Sequence, residues 1–354
     1  MSRRLVLCLD GTWNTYADHT NVSRLHAMVP NVPGGASVQT EQLKYYDEGV
    51  GTGRLDRIRG GALGMGLDKN IRQAYVWLIN NYRSDDELFI FGFSRGAYTA
   101  RSLAGLIARC GIADPSRVTG RADAGEMAKR AYDLYRPSSL GLDEAKTRAS
   151  SFLAEESRAA HIHFLGVWDT VGALGVPGWQ LAEKFHDTEL CTNVDNAYHA
   201  MAIDEHRKSY QVVPWTANPG KAKMEQRWFA GAHANIGGGY EDDLLPDLSL
   251  KWMLQKACAC GLYLGERRGV PITVDDVLPL DHGEFRSPVR DSYREFLFGL
   301  NALNPFTYHF RPIGAAINES VDDSVFRKIE HDPDYRPRNL AHAGNGVALP
   351  GAGF

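Results

Sequence analysis

Five runs of strand length recur, LVLCL (5–9), LKYY (43–46), ELFIFGF (87–93), IHFLGVW (162–168) and QRWFAGA (226–232), and the central members of the set are apolar at successive positions. A strand with one wet face alternates apolar and polar residues, so continuous runs mark strands buried on both faces. Helical patterns lie between them. In DKNIRQAYVWLINNY, Ile71, Val76, Leu78 and Ile79 form one apolar side, with Asp68 as the expected N-cap. Helical readings also fit 97–110, 193–204 and, with Asp247 as a cap, 248–260. Strands alternating with helices make βαβ units, which predicts an α/β fold with a mainly parallel sheet covered on both faces.

Apolar residues make up 44% of the chain, charged residues 23%, and the net charge is −4, which excludes a disordered or fibrous chain. With 354 residues there is enough chain to bury a sizeable core. One α/β domain is expected over 1–354, with a core at about 5–262 and a Pro-, Asn- and Asp-rich extension, 263–354, packed on or near it. Two stretches read as additions to the core. Residues 111–160 are charged and helical in character, and 170–192 open on the glycine-rich VGALGVPGWQ. Val176, Trp179 and Leu181 in the second suit a lid or pocket wall as well as a peripheral packed loop.

Ser94 lies in Gly92-Phe93-Ser94-Arg95-Gly96, between a strand pattern and an alanine-rich helical pattern. A G-x-S-x-G string gains meaning in that setting, because a turn this tight from strand to helix tolerates only small flanking residues. It would hold the hydroxyl at the carboxyl end of the sheet, where open α/β sheets bind ligands. A serine hydroxyl is a poor nucleophile until a base takes its proton, and histidine suits that task near neutral pH. Of the 12 histidines, His233 in RWFAGAHANIGGGY directly follows a strand pattern and precedes Gly237-Gly238-Gly239. His19, His186 and His282 sit in polar stretches and are expected in solvent.

The base needs a carboxylate to fix its tautomer. Asp169 in FLGVWDTVGALG closes an apolar strand pattern and opens a loop, giving the chain order Ser, Asp, His of an α/β-hydrolase. Asp242, Asp243 and Asp247 compete for the role, although their spacing equally suits a loop and a helix cap. The backbone amide of Arg95 is the first expected oxyanion donor. The second is expected from LVLCLDGTWN, through Gly11 or Thr12, with Asp10 bracing that loop by accepting backbone hydrogen bonds.

Other chemistries find less footing. Lys and Arg are scattered, so no basic block points to nucleic acid. The cysteines, Cys8, Cys110, Cys191, Cys258 and Cys260, are odd in number and contain no CxxC pair, which argues for free thiols. His161 and His163 form an HxH pair without an obvious third ligand, and strand alternation explains it as simply as a metal does. GVGTG (49–53) and GGALGMGLDKN (60–70) lack the spacing of phosphate-binding fingerprints and read as turns near the pocket mouth. MSRRLVLCLDG is too short in apolar residues for a signal peptide, and no run is long enough to span a bilayer. A cytoplasmic location is expected, with export open only to a route that needs no cleaved signal.

LDGTWN with TNVSRL, YYDEGVGTG, GGALGMGLDKNIRQAY, FGFSRGAYTARSLAG, GVWDTVGALG, AIDEHR, WFAGAHANIGGGY and YRPRN follow one another from about residue 5 to residue 340. In that order they resemble an uncharacterised α/β-hydrolase family that includes the catalytic domains of type VI secretion phospholipase effectors. The resemblance implies an α/β-hydrolase-like fold, a triad of Ser94, Asp169 and His233, and esterase chemistry on lipids. Such a substrate would bring the protein transiently to a membrane surface.

The expected function is therefore a serine esterase or lipase, cleaving carboxylic esters through an acyl-enzyme on Ser94, with no cofactor and no metal. Two readings from other classes stay open. LCLDGT resembles the D-x-D-G-T signature of metal-dependent phosphatases, using the Asp10 loop, although Cys8 stands where the nucleophilic aspartate belongs. A noncatalytic binding module on a hydrolase scaffold is the other.

Overall fold

The computed structural model describes residues 3–11, 14–32, 41–49, 62–118, 123–137, 141–172, 188–241, 243–281, 283–295 and 308–342. Seven strands form one sheet: β1 (Arg4–Leu9), β2 (Gln42–Asp47), β3 (Glu87–Phe93), β4 (Ile162–Trp168), β5 (Asn196–Ala202), β6 (Lys223–Phe229) and β7 (Glu319–Val321). They lie in the order β2-β1-β3-β4-β5-β6-β7, and every neighbouring pair is parallel. The direction of winding reverses once, between β1 and β3. Such a reversal leaves a crevice beyond the carboxyl ends of the two strands, because their connections depart to opposite sides.

Alternation along the strands divides the core. Leu5, Leu7, Leu9, Leu88 and Ile90 point to one face. There they meet Tyr75 and Leu78 of α2 (Ala62–Asn81), Leu103 and Leu106 of α3 (Arg95–Cys110), Met127 of α4 (Ala124–Tyr135) and Phe152 of α5 (Leu142–Glu156). Val6, Cys8, Phe89, Phe91, Phe164 and Trp168 point to the other. That face packs on Val22 and Leu25 of α1 (Asn21–Met28), Ile236 of the short α6 (His233–Gly237) and Trp252, Met253 and Leu254 of α7 (Leu245–Ala259). Each fully buried Leu or Phe contributes roughly 1.5–3 kcal/mol relative to exposure, so these two layers hold the sheet between the helices. The architecture is α/β and α/β-hydrolase-like.

Several expectations need correction. Residues 193–204 are not helical; Asn196–Ala202 is the strand β5, buried from Ala197 to Ala202. Ala197, Ala200, Met201 and Ala202 favour helix as isolated residues, but the place between β4 and β6 satisfies their backbone and covers both faces. Asp68 does not cap α2, which begins at Ala62; its carboxylate accepts from the Tyr132 hydroxyl instead. Asp247 lies in the first turn of α7, after Pro246, and pairs with Arg24 at 2.6 Å. The strand read at 226–232 is displaced toward the N-terminus, ending at Phe229. Part of the C-terminal extension joins the sheet as β7 and then forms a helix, Asp323–His331, whose Val325 enters a third core cluster with Trp228 and Tyr335.

Candidate active site

Ser94 alone joins β3 to α3, with φ 57° and ψ −121°. Side-chain-bearing residues reach positive φ only at a cost of about 1–3 kcal/mol, which the surrounding backbone must impose. Two glycines make that possible. A Cβ on Gly92 would stand 2.5 Å from the Gly96 carbonyl oxygen, and one on Gly96 would stand 2.2 Å from the Leu9 oxygen and 2.4 Å from that of Asp10. The Ser94 amide donates to the Trp168 carbonyl at 3.0 Å, and its own carbonyl accepts from the Tyr98 amide at 3.2 Å. The hydroxyl is thus fixed at the reversal of the sheet.

His233 opens α6, just after Gly231 with φ 126°. Its Nε2 lies 2.8 Å from Ser94 Oγ, and its Nδ1 lies 2.5 Å from Asp169 Oδ2. Ser94, His233 and Asp169 are 5%, 6% and 0% exposed. An ionised carboxylate can only accept, so Nδ1 carries the proton and Nε2 is left to accept from the serine hydroxyl. The ring lies 4.7 Å from that of Phe93 and 5.1 Å, edge-on, from that of Tyr210. Burial depresses the pKa of His233, while the Asp169 carboxylate opposes that effect.

The loop holding His233 is anchored from the segment after β5. Asp204 Oδ2 accepts the Gly231 amide at 2.8 Å and the Tyr335 hydroxyl at 2.7 Å. Glu205 Oε2 accepts the His233 amide at 3.3 Å, and Glu205 pairs with Arg207 at 2.7 Å. Both acids belong to the AIDEHR string, whose role sequence reading left unassigned.

Asp169, with φ 41°, follows β4 and donates its amide to the Ala200 carbonyl at 2.7 Å. Its Oδ1 accepts the Ala202 amide at 2.9 Å. A guanidinium that the sequence did not single out completes the shell. Arg311, 1% exposed, donates from Nη1 to Asp169 Oδ1 at 2.6 Å and from Nη2 to Oδ2 at 3.0 Å. Burial alone would raise the Asp169 pKa; Arg311 and His233 together hold it well below the usual carboxylate range. Beneath it, His199 of β5 accepts the Thr170 amide through Nε2 at 3.1 Å, and burial pushes its pKa down to about 3. His199 therefore braces the loop as a neutral ring.

Gly11 lies against the serine, since a Cβ there would be 3.3 Å from Ser94 Cβ. Its amide, expected at an oxyanion, donates here to Asp10 Oδ1 at 2.7 Å. Asp10 also accepts from Thr20 Oγ1 at 2.6 Å and Tyr46 Oη at 2.7 Å. Thr12 lies outside the described residues, as do Asp242, His186, His282, residues 50–61 and the 173–187 part of the candidate lid with Val176, Trp179 and Leu181. Arg95 is the first residue of α3, in the turn whose amides point along the axis out of the N-terminus.

The remaining candidates lie elsewhere in the network. Asp243 accepts from Asn235 Nδ2 at 2.8 Å and from the Leu245 amide at 3.0 Å. His163 Nε2 sits 2.9 Å from the Cys260 carbonyl, and His161 is largely exposed beside Asp195. Residues 62–70 form the opening of α2, so that glycine-rich stretch is helix from Ala62 onward and not a turn.

The family model described as "T6SS, Phospholipase effector Tle1-like, catalytic domain" matches residues 3–256, and the chain belongs to that family. An uncharacterized protein of Saccharomyces cerevisiae is 28% identical over 241 residues, covering 61% of this chain and 33% of the yeast protein. A solved structure of an uncharacterized protein from Pseudomonas aeruginosa aligns with a TM-score of 0.38 at 18% identity, over 80% of this chain and 48% of that one. A Tle1 effector solved bound to the VgrG spike of the type VI secretion system aligns with a TM-score of 0.36 at 19% identity, over 69% of this chain and 53% of that one. The chain thus spans a third of its yeast relative and about half of each of these structures. Among the described residues no helix is long and apolar enough to cross a membrane.

Proposed function

We propose that the chain is a serine esterase or lipase that cleaves carboxylic esters, the acyl esters of phospholipids among them, through an acyl-enzyme on Ser94. The observation that carries this reading is the hydrogen-bonded line from Ser94 Oγ through His233 to Asp169, set on a strained strand-to-helix turn. Membership of the phospholipase effector family supports the lipid substrate. It also favours delivery by a secretion route without a cleaved signal.

In the first half-reaction Ser94 Oγ bonds to the ester carbon while its proton passes to His233 Nε2. The Arg95 amide, with a donor from the Gly11–Thr12 loop, faces the oxyanion; Gly11 would then share or exchange its bond to Asp10. Collapse breaks the carbon–oxygen bond to the leaving alcohol, which receives the proton from Nε2. In the second half-reaction Nε2 takes a proton from water, the hydroxide attacks the acyl carbon, and Ser94 leaves with that proton restored. Asp169 stays ionised throughout.

The phosphatase reading gains no support from the residues themselves. Cys8 is fully buried in the core with its thiol pKa raised, and the oxygens of Asp10 are engaged by Thr20, Tyr46 and Gly11. The test is hydrolysis of p-nitrophenyl esters and of phospholipid vesicles by the wild type beside Ser94→Ala and His233→Ala, with fluorophosphonate labelling of the same proteins. Turnover and labelling in the wild type, both abolished in Ser94→Ala, are expected. A Ser94→Ala protein that hydrolyses esters at the wild-type rate would overturn the proposal.

A further inference from the structure

We infer that Arg311 is a positioning residue of this site: it fixes the plane of the Asp169 carboxylate and balances its charge, so that the resting His233 ring is oriented and neutral. The inference rests on the esterase reading for its catalytic consequence, but its structural basis is independent. Each terminal nitrogen of Arg311 gives one bond to Asp169 and one to a backbone carbonyl, Nη1 to Ala202 at 2.8 Å and Nη2 to Tyr210 at 2.6 Å. A guanidinium held at four points cannot rotate without breaking several bonds, and a carboxylate gripped through both oxygens cannot rotate against it. Oδ2 is thereby aimed at His233 Nδ1.

His233 faces Asp169 from β4, Ser94 from the end of β3, Tyr210, and the Glu205–Arg207 pair that follows β5. Glu205 and Arg207 oppose one another in sign. Asp169 faces Arg311, His233 and the neutral His199, which itself lies near Arg101. Without Arg311, the buried negative charge of Asp169 keeps the neutral Ala202 amide, and the one group left among the described residues that touch it and can become a cation is the imidazole, which would draw a proton onto His233 and disable it as a base.

The experiment compares wild type, Arg311→Lys and Arg311→Met in the full chain. The readouts are kcat and KM on a p-nitrophenyl ester across pH, and the NMR titration of the His233 ring. Arg311→Met should lower kcat about 10- to 100-fold with little change in KM, and move both the acid limb and the His233 midpoint up by about one pH unit or more. Arg311→Lys, which keeps charge but not the fork, should restore the midpoint while leaving kcat reduced. A folded Arg311→Met protein with the wild-type midpoint and acid limb overturns the inference. Should that variant not fold, an Arg311→Lys protein with wild-type kcat overturns the orienting role. If the wild type neither hydrolyses esters nor labels, the esterase reading fails, and the NMR midpoints still decide whether Arg311 sets the state of His233.

Discussion

Asp10 and Asp169 follow β1 and β4, the two strands that flank β3, and both are buried, yet they are held in opposite ways. Among the described residues Asp10 receives only neutral donors, from Thr20, Tyr46 and Gly11, and burial pushes its pKa up to about 6. Asp169 is buried more deeply but receives a guanidinium through both oxygens and stays ionised. Depth therefore does not decide the protonation state of a carboxyl group here; the charge of its partner does. One acid is a permanent anion beside the histidine, and the other is a brace for the loop on the far side of the serine.

The contrast is broken most directly by removing each charge in turn. Asp169→Asn should lower kcat by about 10³- to 10⁴-fold, because the wrong tautomer of His233 is favoured, whereas Asp10→Asn should cost about 10-fold. Equal losses, measured on one ester at one pH, would erase the distinction. A second test moves from charge to backbone. Gly96→Ala drives a Cβ into the Leu9 and Asp10 carbonyls and should destabilise by about 3 kcal/mol or more in urea unfolding. Gly172→Ala, three residues after Asp169, meets among the described residues only Val213 Cγ2 at 3.6 Å and should stay within about 0.5 kcal/mol.

Stability against pH sharpens the contrast further. Asp10 has a folded pKa above its unfolded value, so its neutral form stabilises the fold below about pH 4, and that contribution of about 2–3 kcal/mol is lost as pH rises toward 6. Asp169 has the opposite sign, contributing above its unfolded pKa and losing that contribution as acid approaches its depressed folded value. The stability of wild type minus that of Asp10→Asn should fall between about pH 4 and 6; a flat difference would remove the contrast. A smaller loss than that of Gly96→Ala is expected from Tyr46→Phe, which deletes one neutral donor to Asp10 and should cost about 1–2 kcal/mol at pH 7 by thermal unfolding.

The strands that position the site were legible because β1, β3 and β4 are buried on both faces and write continuous apolar runs. Ser94 announced itself through glycines that the tight turn requires, and Asp169 and His233 through their place just after such runs; these are the three side chains brought into contact. The sequence of β5 reads as helix because alanine and methionine carry local preferences that only its neighbours overrule. β7, three residues long, leaves almost no periodic signal. Arg311 left none. It sits in a proline-rich stretch without periodicity, and its partner is 142 residues away, so nothing local distinguishes it from a solvated arginine.

That separation has an outcome for how the protein is made. A ribosome has exposed Ser94, Asp169 and His233 before residue 311 emerges, so the growing polypeptide holds the three side chains of the proposed site while the guanidinium that pairs with Asp169 is still untranslated. Closure of the carboxylate clamp therefore waits for residue 311, and maturation of this centre is timed by the arrival of that segment.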